Sequence, residues 1–280
     1  MTSIQRCNMI VSLIVNTIYI LSENTRRVID RNLSIIMGSC LSFKERKRLT
    51  KNAIRFQLYN VVEYVFLLLG LYKLFRFKVK GYKYYKEAKE RGDNISIISG
   101  HLGNWELLGC WLGMNKFPIY SIVMEARLEV VDWIFRTIRK MHRIGTIDRR
   151  DRMELFRKVK DPSKVVAFLI DQDGEATGYW VKFFGKNVSF PSGAPSVASR
   201  GKVTFIPVYI KRLGFLKHEI IFEQPIKVIS KNRDDIKKEF VDKTLEFYER
   251  IISEYPENWL LIYDRWKFRR HYPICEKNAL

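Results

Sequence analysis

Two apolar stretches mark the first quarter of the chain. Residues 9–21 (MIVSLIVNTIYIL) carry only three polar positions, Ser12, Asn16 and Thr17. Residues 61–72 (VVEYVFLLLGLY) are interrupted by Glu63. A spanning helix wants about 20 apolar residues, so both stretches suit a helix that dips into one leaflet better than one that crosses. A cleaved leader is not suggested, because Arg6 is the only charge before the first run and Glu23, Asn24, Arg26 and Arg27 follow it. From about Gly92 the pattern changes. Short β-branched runs at 95–99 (ISIIS), 119–123 (IYSIV), 165–170 (VVAFLI), 203–210 (VTFIPVYI) and 219–222 (EIIF) read as strands. Between them, 129–140 repeats Val130, Val131, Ile134, Phe135 and Ile138 at helical spacing. Residues 152–160 predict another helix, and 236–255 a longer one with Ile236, Phe240, Leu245, Tyr248 and Ile252 inward. Strands alternating with helices predict an α/β fold with a central mixed sheet flanked by helices, preceded by an N-terminal helical region.

Composition supports a packed chain: 47% of the 280 residues are hydrophobic and 29% charged, which excludes wholesale disorder. Charge adds the second constraint. With 50 Lys plus Arg against 30 Asp plus Glu, the net charge is +20, so an acidic partner is expected: nucleic acid, an anionic membrane or an acidic carrier. Between residues 44 and 91 there are 14 basic residues and four acidic ones, interleaved with aromatics in LYKLFRFKVKGYKYYKEAK. Basic and aromatic residues beside apolar runs suit an anionic membrane surface. No RNA- or DNA-binding signature accompanies the charge. Cys7, Cys40, Cys110 and Cys275 are widely spaced and form no CxxC motif, so free thiols are expected.

The stretch ISIISGHLGNWELLGCWL carries the chemistry. A strand ends at Ser99-Gly100, His101 follows, Gly103 and Asn104 turn the chain, and a helix begins near Trp105. His101 thus lies at the carboxyl end of a strand, where open α/β sheets hold their ligands. Glu106 falls in the first helical turn, where the helix dipole favours a carboxylate. A hydrogen bond from this carboxylate would fix the imidazole tautomer and leave the other nitrogen to take a proton from an alcohol. No serine lies in a glycine elbow, so a covalent serine enzyme is not suggested.

HLGNWE resembles the His-x4-acid motif of the glycerolipid acyltransferases, and most closely the His-x4-Glu of the late acyltransferases of lipid A synthesis. Residues 168–209, with Asp-Gln-Asp, Phe-Phe-Gly and Gly-x-Pro, are similar to that family's second block. PENWLLIYDRWK resembles its terminal block, and RRVIDRNLS with LSFKERKRL its N-terminal region. The resemblance implies transfer of a fatty acyl chain from acyl carrier protein to a hydroxyl of a lipid A precursor, at the cytoplasmic face of the bacterial inner membrane. It implies His101 as general base and Glu106 as its orienting partner, with no metal or organic cofactor. The expected partners are acyl carrier protein, an anionic phosphorylated glycolipid and the membrane surface, and no nucleic acid. Residues 1–80 are expected to form a helical membrane-associating region and 81–280 the α/β acyltransferase domain.

Substrate-binding expectations fall on Arg127, Arg149, Asp171, Gly103 and Asn104. Arg127 precedes the amphipathic helix, where the family has an arginine suited to a phosphate or an oxyanion. Arg149 lies in the charge run IDRRDR, and family position suggests that Asp171 shapes the site. Gly185 and Gly193 are read as permitting tight loops. In the terminal block Tyr263 and Asp264 replace the family's polar pair, and the acidic Asp264 leaves Arg265 without an assigned role. Two other readings compete. Glycerol-phosphate and lysophosphatidate acyltransferases carry Asp as the acid and a Pro-Glu-Gly-Thr block, which this chain lacks, although other glycolipid or aminolipid acceptors stay open. A non-enzymatic basic membrane-binding protein would explain the charge but give His101 no role.

Overall fold

The computed structural model describes residues 3–124 and 128–267. The N-terminal part forms three helices: α1 (Ser3–Leu21), α2 (Glu23–Met37) and α3 (Phe43–Leu68). Then follow β1 (Arg76–Lys80), α4 (Lys83–Glu90), β2 (Ile95–Ser99), α5 (Trp105–Met114), β3 (Ile119–Val123), α6 (Glu129–Met141), β4 (Gly145–Asp148), α7 (Arg152–Lys160) and β5 (Val165–Leu169). The remainder comprises β6 (Tyr179–Phe183), β7 (Lys186–Phe190), α8 (Gly193–Ala198), β8 (Thr204–Gly214), β9 (Lys217–Phe222) and α9 (Arg233–Glu254).

Seven strands form one sheet in the order β1-β9-β8-β2-β5-β3-β4, with β6 and β7 as a separate hairpin. Only the β8–β9 pair is antiparallel in the seven-stranded sheet, so the sheet is mixed, as the alternating pattern predicts. All five residues of β2 are buried, which explains why ISIIS carries no charged or large polar residue. Its side chains alternate between two cores. Ile95 and Ile97 join Leu107, Leu108 and Leu67 on one face. Ile98 joins Phe168, Phe205 and the inner residues of α9 on the other. Phe240, Leu245, Tyr248 and Ile252 of α9 are buried as expected, whereas Ile236, in its first turn, is only half-buried.

The helix α3 begins at a capping box. Ser42 accepts from the Glu45 N–H, and the Glu45 carboxylate accepts from the Ser42 N–H at 2.9 Å. The strand β1 lies within the basic-aromatic stretch and pairs parallel with β9, ahead of residue 81. Val11, Val15, Ile29 and Leu33 of the first two helices share a core with Ile98 and Phe168 of the sheet. In α6, Ile138 is buried as expected, but Val130 is exposed with Trp133 and Leu128. The helix touches α3 and α5 through its second half, leaving its first turn outside the core. No helix among the described residues is long and apolar enough to cross a membrane.

Candidate active site

The strands β2 and β5 are parallel neighbours with Ser99 opposite Leu169. Each chain leaves its strand at the same level, so the residues two positions further on, His101 and Asp171, are carried to facing places above the sheet. The His101 ring Nδ1 lies 2.8 Å from Asp171 Oδ1, and the His101 backbone N–H donates to Oδ2 at 2.9 Å. The carboxylate that orients His101 is therefore that of Asp171 and not that of Glu106. Local spacing favoured the glutamate; strand adjacency brings the aspartate instead.

Asp171 is buried and fully supplied with donors. Trp259 Nε1–H donates to Oδ2 at 2.9 Å, and Arg265 Nε–H donates to the Asp171 carbonyl at 2.8 Å. Burial pushes the carboxyl upward, but the attraction of the His101 imidazole, the hydrogen bonds from its ring and backbone N–H and the Trp259 indole outweigh it and hold the group below the ordinary aspartate range. An ionised Asp171 accepts from Nδ1–H and leaves the lone pair on His101 Nε2. The imidazole itself is partly exposed, its side chain 18% accessible. Trp105 packs edge-on against it, with ring centroids 4.8 Å apart. A partly accessible imidazole over a buried carboxylate, at the carboxyl end of a central strand, is the arrangement of a general base for a hydroxyl.

The sequence matches the bacterial lipid A biosynthesis acyltransferase family over residues 7–268. The chain belongs to this family. It is also similar to a phosphatidylinositol mannoside acyltransferase of Mycolicibacterium smegmatis, 22% identical over 185 residues. That alignment takes in 64% of this chain, and the chain spans 59% of the length of this curated relative.

The family's His-x4-Glu motif acquires a divided geometry here. Glu106 turns towards α6, where Arg139 donates to both of its oxygens, at 3.2 Å from Nε and 2.5 Å from a terminal nitrogen. Both side chains are nearly buried. The pair ties α6 to the first turn of α5, directly after the loop that bears His101.

The loop between His101 and α5 is fixed from three sides. Gly103 has φ +55°, and a Cβ there would lie 2.4 Å from the Ile210 carbonyl oxygen, so only glycine fits. Its N–H donates to the Asn258 carbonyl at 2.7 Å, and its own carbonyl accepts from Asn60 at 3.0 Å. Asn104 caps α5, accepting from the Leu107 N–H at 3.0 Å and donating to Glu63 at 2.8 Å. Both residues expected to touch substrate have these polar groups engaged inside the protein. They shape the loop.

Beneath it lies a buried charge cluster absent from the sequence reading. Arg212 reaches Glu63 with both terminal nitrogens, one at 2.5 Å and the other at 2.7 Å, and Asn60 at 2.6 Å. His218 Nε2 lies 3.2 Å from the same glutamate. Burial alone would raise the Glu63 carboxyl, but Arg212 and His218 pull it down to about 2. Burial drives the His218 imidazole below its ordinary value, against the attraction of Glu63. Glu63 is the polar interruption in the second apolar stretch. An acid amid apolar residues signals a buried partner, although the sequence does not say which one.

Arg149 follows β4, which lies three strands from β2 in the sheet. It is exposed and bonds Glu175 at 2.8 Å. Arg127 lies outside the described residues. Arg265, left without a role because of Asp264, is buried against Asp171 and Ser189. The Asp264 carboxylate that caused the difficulty pairs with Arg31 of α2. Cys40 and Cys110 are free thiols. No cluster of His, Cys, Asp and Glu among the described residues is arranged to hold a metal ion.

Proposed function

We propose that this protein transfers a fatty acyl chain from acyl carrier protein to a hydroxyl of a lipid A precursor, at the cytoplasmic face of a bacterial inner membrane. The observation that carries the reading is the His101–Asp171 pair at the carboxyl end of β2 and β5. It supplies a base of fixed tautomer to a chain whose family acts in lipid A synthesis. The acceptor hydroxyl gives its proton to His101 Nε2 as its oxygen attacks the thioester carbonyl. The new C–O bond forms and the C–S bond breaks. The carrier thiolate then recovers the proton from the imidazolium, whose charge Asp171 stabilises while it lasts. Holding donor and acceptor together supplies much of the remaining acceleration.

The positive charge has a use in this scheme, since an acidic carrier and a phosphorylated acceptor are both steered by a basic surface. The exposed apolar residues Met9, Ile10, Leu13 and Leu21 of α1 support attachment to one leaflet. Similarity to the mannoside acyltransferase favours a second acceptor class, a glycosylated inositol lipid.

The experiment supplies acyl carrier protein charged with mixed fatty acids and a tetraacylated lipid A precursor, read by mass spectrometry. A gain of one acyl group that disappears in His101→Ala is expected. No gain here, with His101-dependent acylation of a mannosylated inositol lipid, would replace the acceptor. Silence with every donor and acceptor from folded protein would reject acyl transfer.

A further inference from the structure

A second feature lies among the N-terminal helices and shares no residue with the pair above. Between α1, α2 and the start of α3 is an open cleft of about 290 Å³. Three cations converge on the ring of Tyr19, which lines the cleft together with Arg26 and Lys47. Lys51 Nζ lies 5.1 Å from the Tyr19 centroid, Arg26 Cζ 5.7 Å and Lys47 Nζ 5.9 Å. The ring attracts each of them, but a phenol quadrupole does not neutralise three full charges.

The acids at the rim are already engaged. Glu23 pairs with Arg27 at 2.6 Å and Asp30 with Arg46 at 3.0 Å. Lys51 donates only to the neutral Asn16, and the Arg26 guanidinium is drawn to the last carbonyls of α1, Tyr19 and Ile20. Among the described residues, Arg26, Lys47 and Lys51 form no ion pair. The cleft therefore holds uncompensated positive charge, closely spaced, with hydrogen-bond donors.

Exposed apolar side chains accompany these charges. Phe43, 79% accessible, lines the cleft on its α3 side, and the exposed Ile20 and Leu21 directly follow the lining residue Tyr19 at the end of α1. Along α1, Ile10, Leu13, Ile14 and Leu21 continue one outward strip at helical spacing. A cationic cleft beside an exposed apolar strip matches a phospholipid at a bilayer surface, with phosphate in the cleft and acyl chains along the strip. A soluble phosphate would satisfy the charges and leave the strip in water.

We infer that this cleft binds the headgroup phosphate of an anionic phospholipid in the bilayer, independently of the catalytic pair and of the acceptor. Flotation of the full chain with phosphatidylcholine vesicles, with and without phosphatidylglycerol, tests it. Lys47→Gln/Lys51→Gln is expected to lower partitioning onto the anionic vesicles roughly tenfold or more at low salt, and to leave binding to neutral vesicles unchanged. The comparison variant Lys231→Gln/Lys238→Gln, with the same charge removed elsewhere, is expected to partition like the parent. Equal loss in both variants would reduce the effect to net charge and overturn the site. So would an unchanged Lys47/Lys51 variant. Release of the parent from vesicles by millimolar glycerol phosphate would assign the cleft to soluble phosphates and overturn the lipid assignment. Circular dichroism is the check that each variant folds, and His101→Ala is expected to float like the parent, so a failed acyl-transfer assay leaves this test intact.

Discussion

His101 meets Asp171 twice, through its ring at 2.8 Å and through its own backbone N–H at 2.9 Å. A carboxylate held in this way sets both the tautomer of the ring and the place of the residue. Asp171→Asn keeps the shape but makes one of the two sites a donor. The expected result is a fall in kcat of about 10²–10⁴-fold with little change in KM, measured as His101-dependent thioester consumption. A variant with unaltered kcat would remove Asp171 from the mechanism.

The Glu106–Arg139 pair makes a contrasting case. Arg139→Ala leaves a nearly buried carboxylate without its partner, which costs about 3–5 kcal/mol. For a chain of this length that corresponds to a fall of about 5–10 °C in Tm. Glu106→Gln is expected to lose stability in the same direction, and at a permissive temperature to lower kcat less than Asp171→Asn. Thermal melts beside kinetics on the same preparations separate the two carboxylates. A larger kcat loss in Glu106→Gln, at unchanged Tm, would return the glutamate to the chemistry.

Acid should weaken the fold through the cluster under the loop. The Glu63 carboxyl is held at about 2 in the folded chain against 4.5 as its ordinary value. Its contribution is therefore complete above about 4.5 and is lost as pH falls towards 2. Asp171, also depressed, acts in the same sense. His218, held below its ordinary 6.5 by burial, contributes nothing above that value and opposes folding as pH falls below it. Urea midpoints should decline steadily from pH 7 to pH 3, and Glu63→Gln should flatten the lower part of that slope. A midpoint independent of pH would contradict the cluster.

Gly103→Ala is the sharpest steric test. The added methyl would meet the Ile210 carbonyl at 2.4 Å with φ at +55°, so the loop must move and take His101 with it. Loss of activity in a protein that still gives a folded circular dichroism spectrum is the expected outcome. Wild-type kinetics would mean that the loop tolerates displacement.

The bounds of β2 and β3 were legible in the sequence because each is a short β-branched run closed by polar or glycine punctuation, and those of α7 because Asp151 caps its start and basic residues fill its last turn. The start of α5 was legible from Asn104. The strand β1 was not, since RFKVK alternates Phe and Val with basic residues and reads as solvated surface. An edge strand is expected to carry such lysines, because they discourage further pairing. The hairpin of β6 and β7 turns at Phe184-Gly185, both at positive φ, where Asn-Gly would have announced it. His101 and the Asp171 block were both noticed, but their pairing depends on which strands are neighbours. No local spacing encodes that order, whereas the nearness of Glu106 in sequence is plain. The partners of Arg139, Trp259 and Arg212 were not legible for the same reason.

The Asp171 carboxylate is secured by Trp259 and its carbonyl by Arg265, both about ninety positions further along the chain. During synthesis the sheet residues that carry His101 and Asp171 leave the ribosome well before these two do. A nascent chain thus holds the histidine and the aspartate without the side chains that fix the aspartate in place. Competence waits for the segment that carries Trp259 and Arg265, so the acquisition of reactivity is tied to the arrival of residues remote in sequence from both members of the pair.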